Sequence, residues 1–147
     1  KLKKQKNSVF FGGTFSGNPL VTEVGFKNLD FIFKNKKKIF NHLENLSIYF
    51  EKKLNSFFNN NHLDIKIIRY CSILRIIYSK KLIRNKLERE KSEKKLAKKI
   101  NDFQSFTLKK NILLSKRGAI FFCYSYTKKN VDHLIDVISK GTLKFFK

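Results

Sequence analysis

The sequence predicts an α+β fold in which helices pack on a small, mainly antiparallel sheet. Three observations predict it. Apolar residues recur at helical spacing through most of residues 18–58, and a β-rich run follows from Asp64 to Tyr78. Charged helix, short strand candidates and a final amphipathic helix then alternate to the C-terminus.

Taken in order, Asn18 is a good helix N-cap, and Pro19 suits the first helical position, where a missing N–H costs nothing. Val21, Val24, Leu29 and Ile32 then predict a helix to about Phe33, in which Gly25 is expected to allow a close packing contact. Asn35 and Lys36 break the pattern. A second helix is predicted from Lys37 to Phe58, with Ile39, Leu43, Leu46, Phe50, Leu54 and Phe57 on its core face. Asn59-Asn60-Asn61 reads as a turn, and His62 as a solvated loop residue.

From Asp64 to Tyr78 the β-branched and aromatic residues predict two strand segments with a break near Cys71-Ser72. Arg69 and Arg75 fall within them and read as edge-facing charges, because no partner carboxylate is identifiable from spacing. Residues 80–99 predict a solvated helix laced with i,i+4 pairs such as Glu90 with Lys94, and Leu96, Ile100 and Phe103 give it an apolar face. Ile112–Leu114 and Ala119–Tyr124 are short strand candidates around a turn at Ser115–Gly118. Thr127 is placed to cap a last helix lined by Val131, Leu134, Ile135 and Ile138, which ends near Gly141 or resumes toward Phe146.

The 147 residues suffice for one ordinary core, to which 16 Phe bring large apolar surfaces. No apolar run is long enough to cross a bilayer. Cys71 and Cys123 lie far apart in apolar surroundings, which fits buried thiols in a reducing compartment, with the cytoplasm as the default. His42, His62 and His133 have no metal-ligand spacing with either cysteine, so no metal site is expected. A net charge of +22 raises the question of nucleic acid. Only five of the cations are Arg, however, and Lys arrives with abundant Asn, Ile and Phe, as an AT-rich coding sequence would supply. Nucleic-acid binding as the main function is therefore not expected.

The chemistry-bearing stretch is Gly12-Gly13-Thr14-Phe15-Ser16-Gly17-Asn18-Pro19-Leu20. Its glycines allow sharp turns and close backbone approach, and it leads into a helix N-terminus, so it can present N–H groups and a hydroxyl to a phosphate. It lacks the Gly-Lys-Ser/Thr ending of a P-loop. Gly13 to Leu20, followed by Gly25, resembles the G-T-x-S-G-N-P-L…G stretch of class III aminotransferases, pyridoxal-phosphate enzymes, in the flavour of glutamate-1-semialdehyde 2,1-aminomutase.

That resemblance implies a fold-type I transferase and pyridoxal 5'-phosphate as cofactor. Gly13 and Thr14 would contact the cofactor phosphate of the neighbouring subunit in a homodimer, while Ser16, Gly17, Asn18 and Pro19 shape the loop. It implies that residues 1–34 end the large cofactor-binding domain and that residues 35–147 form the small C-terminal α+β domain. In the family the Schiff-base lysine lies upstream of this loop. Lys3, Lys4 and Lys6 are poor counterparts, and the chain contains no Met. The expectation is thus a C-terminal portion with no catalytic residue of its own, inactive alone. The substrate would be a small amino or oxo compound. Tyr126 stands where the family usually has His, and Gly118 near a position often acidic in the aminomutase. The alternative, from charge alone, is a small basic module for nucleic acid or an acidic partner.

Overall fold

The computed structural model describes residues 12–115 and 118–147, so Lys3, Lys4 and Lys6 lie outside it. Two units are recognised, one ending at Ile39 and the other Phe40–Lys147. The element order is α1 (Pro19–Asn60), β1 (Lys66–Tyr70), β2 (Ile73–Ile77), α2 (Lys86–Lys95), α3 (Ala97–Leu108), β3 (Ala119–Phe121) and α4 (Lys128–Phe146).

The first correction concerns α1, a single helix of 42 residues where two were predicted. Asn35 does not break it. Its side-chain amide donates to the Phe31 carbonyl one turn back, 2.9 Å away, so the residue is satisfied inside the helix. The propensity cost of Asn is only about 0.7 kcal/mol against Ala, too little to stop a helix supported on both sides. In the first unit the predicted apolar spacing is present, but apart from the half-buried Ile32 and the buried Ile39 it lies mostly exposed. Leu20, Val24, Phe26, Leu29 and Phe33 are all exposed, and among the described residues nothing lies within 4 Å of where a Gly25 Cβ would sit, so the expected close contact is not made among them.

In the second unit α1 does bury a face. Leu46, Phe50, Leu54 and Phe58 recur every four residues and are buried; Phe58, rather than the predicted Phe57, is the fully enclosed one. Each such side chain stabilises the fold by about 1.5–3 kcal/mol. They pack in one cluster with Ile65, Ile67, Leu74 and Ile76 of the hairpin region, Phe103 of α3, and Val131 and Ile138 of α4.

The sheet has the order β1-β2-β3 and is antiparallel throughout. As predicted, the β1–β2 hairpin breaks at Cys71-Ser72, with Cys71 at φ +51° supplying the left-handed residue of the turn. Both cysteines are exposed and free, against the expectation of burial: Cys71 is in that turn, and Cys123 lies just past β3. Ile112–Leu114 is not a strand; it runs irregularly after α3, and only Ala119–Phe121 of the second candidate pairs with β2.

Side chains close the backbone's open ends. β1 is an edge strand, and Ile67, opposite Ile76, turns its main-chain groups away from β2. The Asn55 side chain of α1 meets them, accepting from the Ile67 N–H at 2.7 Å and donating to its carbonyl at 3.0 Å. One amide thus substitutes for a missing strand and anchors helix to sheet. Leu96 separates α2 from α3 where one helix was predicted. Thr127 caps α4 in a reciprocal box with Asn130, as the sequence indicated. That helix continues through Gly141, where a Cβ would stand 2.6 Å from the Phe103 ring. Glycine here is a packing requirement.

Candidate functional site

The loop ahead of α1 is built from two successive turns. The Ser16 N–H donates to the Gly13 carbonyl at 3.0 Å, and the Asn18 N–H to the Phe15 carbonyl at 3.2 Å. Gly17 is the third residue of the second turn and has φ +74°, a conformation that favours glycine. A Cβ on Gly13 would lie 3.2 Å from the Ser16 hydroxyl, tighter than most real contacts. Asn18 then accepts from the Val21 N–H at 3.2 Å, as an N-cap does, and Pro19 occupies the first helical position. The four predicted loop-shaping residues are therefore together, each with an identifiable geometric task.

Gly13 and Thr14 sit at the exposed crest of the first turn. Among the described residues, no acceptor pairs with the Thr14 N–H or hydroxyl. The first turn of α1 carries no acidic side chain, so the positive end of the helix is not offset there. Free donors, an exposed hydroxyl and a helix N-terminus fit an anion such as a phosphate ester.

The second unit holds polar constellations that spacing alone did not reveal. Arg69, read as an edge-facing charge, instead reaches Glu51 at 2.9 Å and Glu44, and donates to the Cys71 carbonyl at 2.9 Å. The hydrogen bonds it donates, to Glu51 first and then to Glu44, outweigh partial desolvation and hold its guanidinium charged. The signal was available: Glu44 and Glu51 are seven residues apart and so share one helix face. Tyr49 donates to Asp132 at 2.6 Å, and the hydrogen bond to that carboxylate raises its phenol pKa. His42 lies 2.8 Å from the Tyr126 carbonyl and edge-on to Tyr124. These groups tie the second-unit part of α1 to the segments around it. Among the described residues no group of three or more His, Cys, Asp or Glu is arranged to hold a metal, and no helix is long and apolar enough to cross a membrane.

No protein-family model matches the chain. It is 26% identical over 134 residues to a glutamate-1-semialdehyde 2,1-aminomutase of Caldicellulosiruptor bescii, covering 90% of this chain and 30% of that one. The aminomutase of Clostridium novyi is 29% identical over 133 residues, with 86% and 29% covered. The chain thus spans about a third of the length of the curated relatives it matches. The fold agrees. A Pseudomonas aeruginosa glutamate-1-semialdehyde aminomutase superposes with a TM-score of 0.74 at 15% identity, over 97% of this chain and 32% of that one. A β-phenylalanine aminotransferase of Variovorax paradoxus gives 0.72 at 16% identity, over 93% and 31%. A variant of the Pseudomonas enzyme in complex with PMP gives 0.75 at 15% identity, over 97% and 32%. In sequence the chain is similar to glutamate-1-semialdehyde 2,1-aminomutases over about a third of their length, and it shares its fold with the matching third of solved aminotransferases, consistent with a C-terminal portion.

Proposed function

We propose that the chain is the C-terminal portion of a pyridoxal-phosphate-dependent aminotransferase or aminomutase that moves an amino group on a small amino or oxo compound. One observation carries the proposal: relatives matched over nearly the whole chain are named glutamate-1-semialdehyde 2,1-aminomutase. Beside it, the Gly13-Thr14 turn has uncommitted donors, among the described residues, at the N-terminus of a long helix. The cofactor, when bound, supplies an electron sink for a carbanion at the substrate. This chain's part is to hold the cofactor phosphate through the Gly13-Thr14 backbone and the Thr14 hydroxyl.

The remaining roles follow from the same reading. Residues 1–34 belong to the end of the cofactor-binding domain and residues 35–147 form the small domain. The exposed apolar face on the first half of α1 is available for the homodimer contact that would bring the loop to a neighbouring subunit. The enzyme acts in the cytoplasm. The test is cofactor retention in the enzyme that carries this segment, comparing Thr14→Ala with the parent. Loss of one charge-assisted hydrogen bond, about 1.5–3 kcal/mol, should weaken pyridoxal phosphate binding roughly 10- to 100-fold. Equal affinity would remove Thr14 from the site.

A further inference from the structure

Lys dominates the basic residues of this chain, yet three of its five Arg line one cavity. Strand geometry explains how. Side chains alternate across a sheet, and the register sets Lys66 opposite Ile77 and Ile68 opposite Arg75, so these four share the face away from Ile67, Leu74 and Ile76 of the core. The segment Leu82–Lys86 and the start of α2 pass over that face and add Arg84, Lys86 and Arg89. The result is a cavity of about 280 Å³ lined by Lys66, Arg75, Arg84, Lys86 and Arg89 beside Ile68, Ile77 and Leu82, with no carboxylate in its lining among the described residues.

Three glutamates stand near the cavity, and two of them pair with its lining cations. Glu88 accepts from the Arg84 N–H and from the Asn85 side chain, closing the N-terminus of α2. Glu93 lies 3.4 Å from Arg89, and Glu90 lies 3.4 Å from Arg89 and 3.7 Å from Lys86. Lys66 is held by the carbonyls of Lys80 and Lys81 at 3.2 and 2.9 Å, neutral acceptors that fix its ammonium without cancelling it. The five cations of the lining outnumber these three glutamates. Folding concentrates positive charge here, at some electrostatic cost that a bound anion would relieve.

We infer that this cavity binds a compact phosphate ester. Planar guanidinium groups match phosphate oxygens two at a time, which a surplus of Lys alone would not provide. The volume is near the lower end of small-ligand sites, about 300 Å³, and Ile68 and Leu82 supply an apolar wall for a small organic group. A polynucleotide needs an extended track, and this is a small, half-open pocket. The inference rests on the second unit alone and stands whether or not Thr14 holds a cofactor.

The test is a ³¹P NMR titration of the full chain with phenyl phosphate at physiological ionic strength, with circular dichroism verifying the fold of each variant. Saturable binding below millimolar concentration is expected. Arg84→Gln and Lys86→Gln, both at exposed positions, should each weaken it by roughly tenfold. Binding that falls equally in the control variant Lys128→Gln, or no saturation up to 10 mM (roughly 3 kcal/mol of affinity), would overturn the proposal. Tighter binding of a single-stranded oligonucleotide that displaces phenyl phosphate would also overturn it, in favour of a nucleic-acid surface.

Discussion

Asn55 provides the sharpest test of how the small unit is held together. Its amide makes two hydrogen bonds, 2.7 and 3.0 Å long, to the main chain of Ile67, a residue only 2% exposed. Truncation to Ala leaves one N–H and one C=O on an edge strand without partners. Each unsatisfied group costs about 1–3 kcal/mol, and Ala returns about 0.7 kcal/mol through its higher helix propensity. Since Asn55 is only half-buried, water can recover part of the loss. A net destabilisation of about 2–3 kcal/mol is expected, or a melting temperature lower by roughly 6–10 °C for a chain of this size. Thermal unfolding followed by circular dichroism measures it. Hydrogen exchange should show the Ile67 amide losing protection while that of Ile76, which donates to the Gly118 carbonyl at 3.0 Å, does not lose it selectively. Asn61→Ala is the control, since its 2.9 Å bond to the Phe57 carbonyl sits at a helix end, and it should cost under about 1 kcal/mol. If Asn55→Ala melted with the parent and kept Ile67 protected, the side chain would not be the edge partner described above.

Further outcomes follow from the same geometry. Gly141→Ala should destabilise by about 1 kcal/mol or more in urea unfolding, despite Ala's helix preference, because its Cβ would lie 2.6 Å from the buried Phe103 ring. Gly25→Ala, with nothing within 4 Å, should not destabilise. Arg69→Met should cost about 1 kcal/mol by leaving Glu44 and Glu51 facing each other without a cation, and 1 M salt should shrink that deficit because all three side chains are partly exposed. Burial first, and the charge of Glu93 second, raise the pKa of the Tyr78 phenol. With the folded pKa above the unfolded value of about 10, its contribution to stability is complete below pH ~10 and is lost as pH rises toward the folded value. Tyr78→Phe should therefore flatten the alkaline fall of the unfolding midpoint above pH ~10.

The sequence by itself determined the features governed by local physics. Asn18 and Thr127 cap helices because their side chains reach N–H groups three residues on, whatever the rest of the chain does. The hairpin at Cys71-Ser72 and the every-fourth apolar face of α1 were legible for the same reason, since period and turn chemistry are short-range. The turns ahead of α1 and the start of that helix were legible because glycine, proline and asparagine each have a conformational task within a few residues of one another.

What the tertiary structure decided lies in long-range choices among weak local preferences. Asn35 was a plausible break until its side chain found the Phe31 carbonyl in a continuous helix. The residues Ile112–Leu114 were β-formers, but only Ala119–Phe121 obtained a register against β2, and a strand does not exist without a partner. The cysteines looked buried because their neighbours are apolar; a turn and a post-strand loop expose them. Arg69 found Glu44 and Glu51, and Arg75, Arg84 and Arg89 converged on one cavity, only because separate segments were brought together. Charge pairing across 18 or more residues is invisible to periodicity, because it depends on which faces the core turns toward each other.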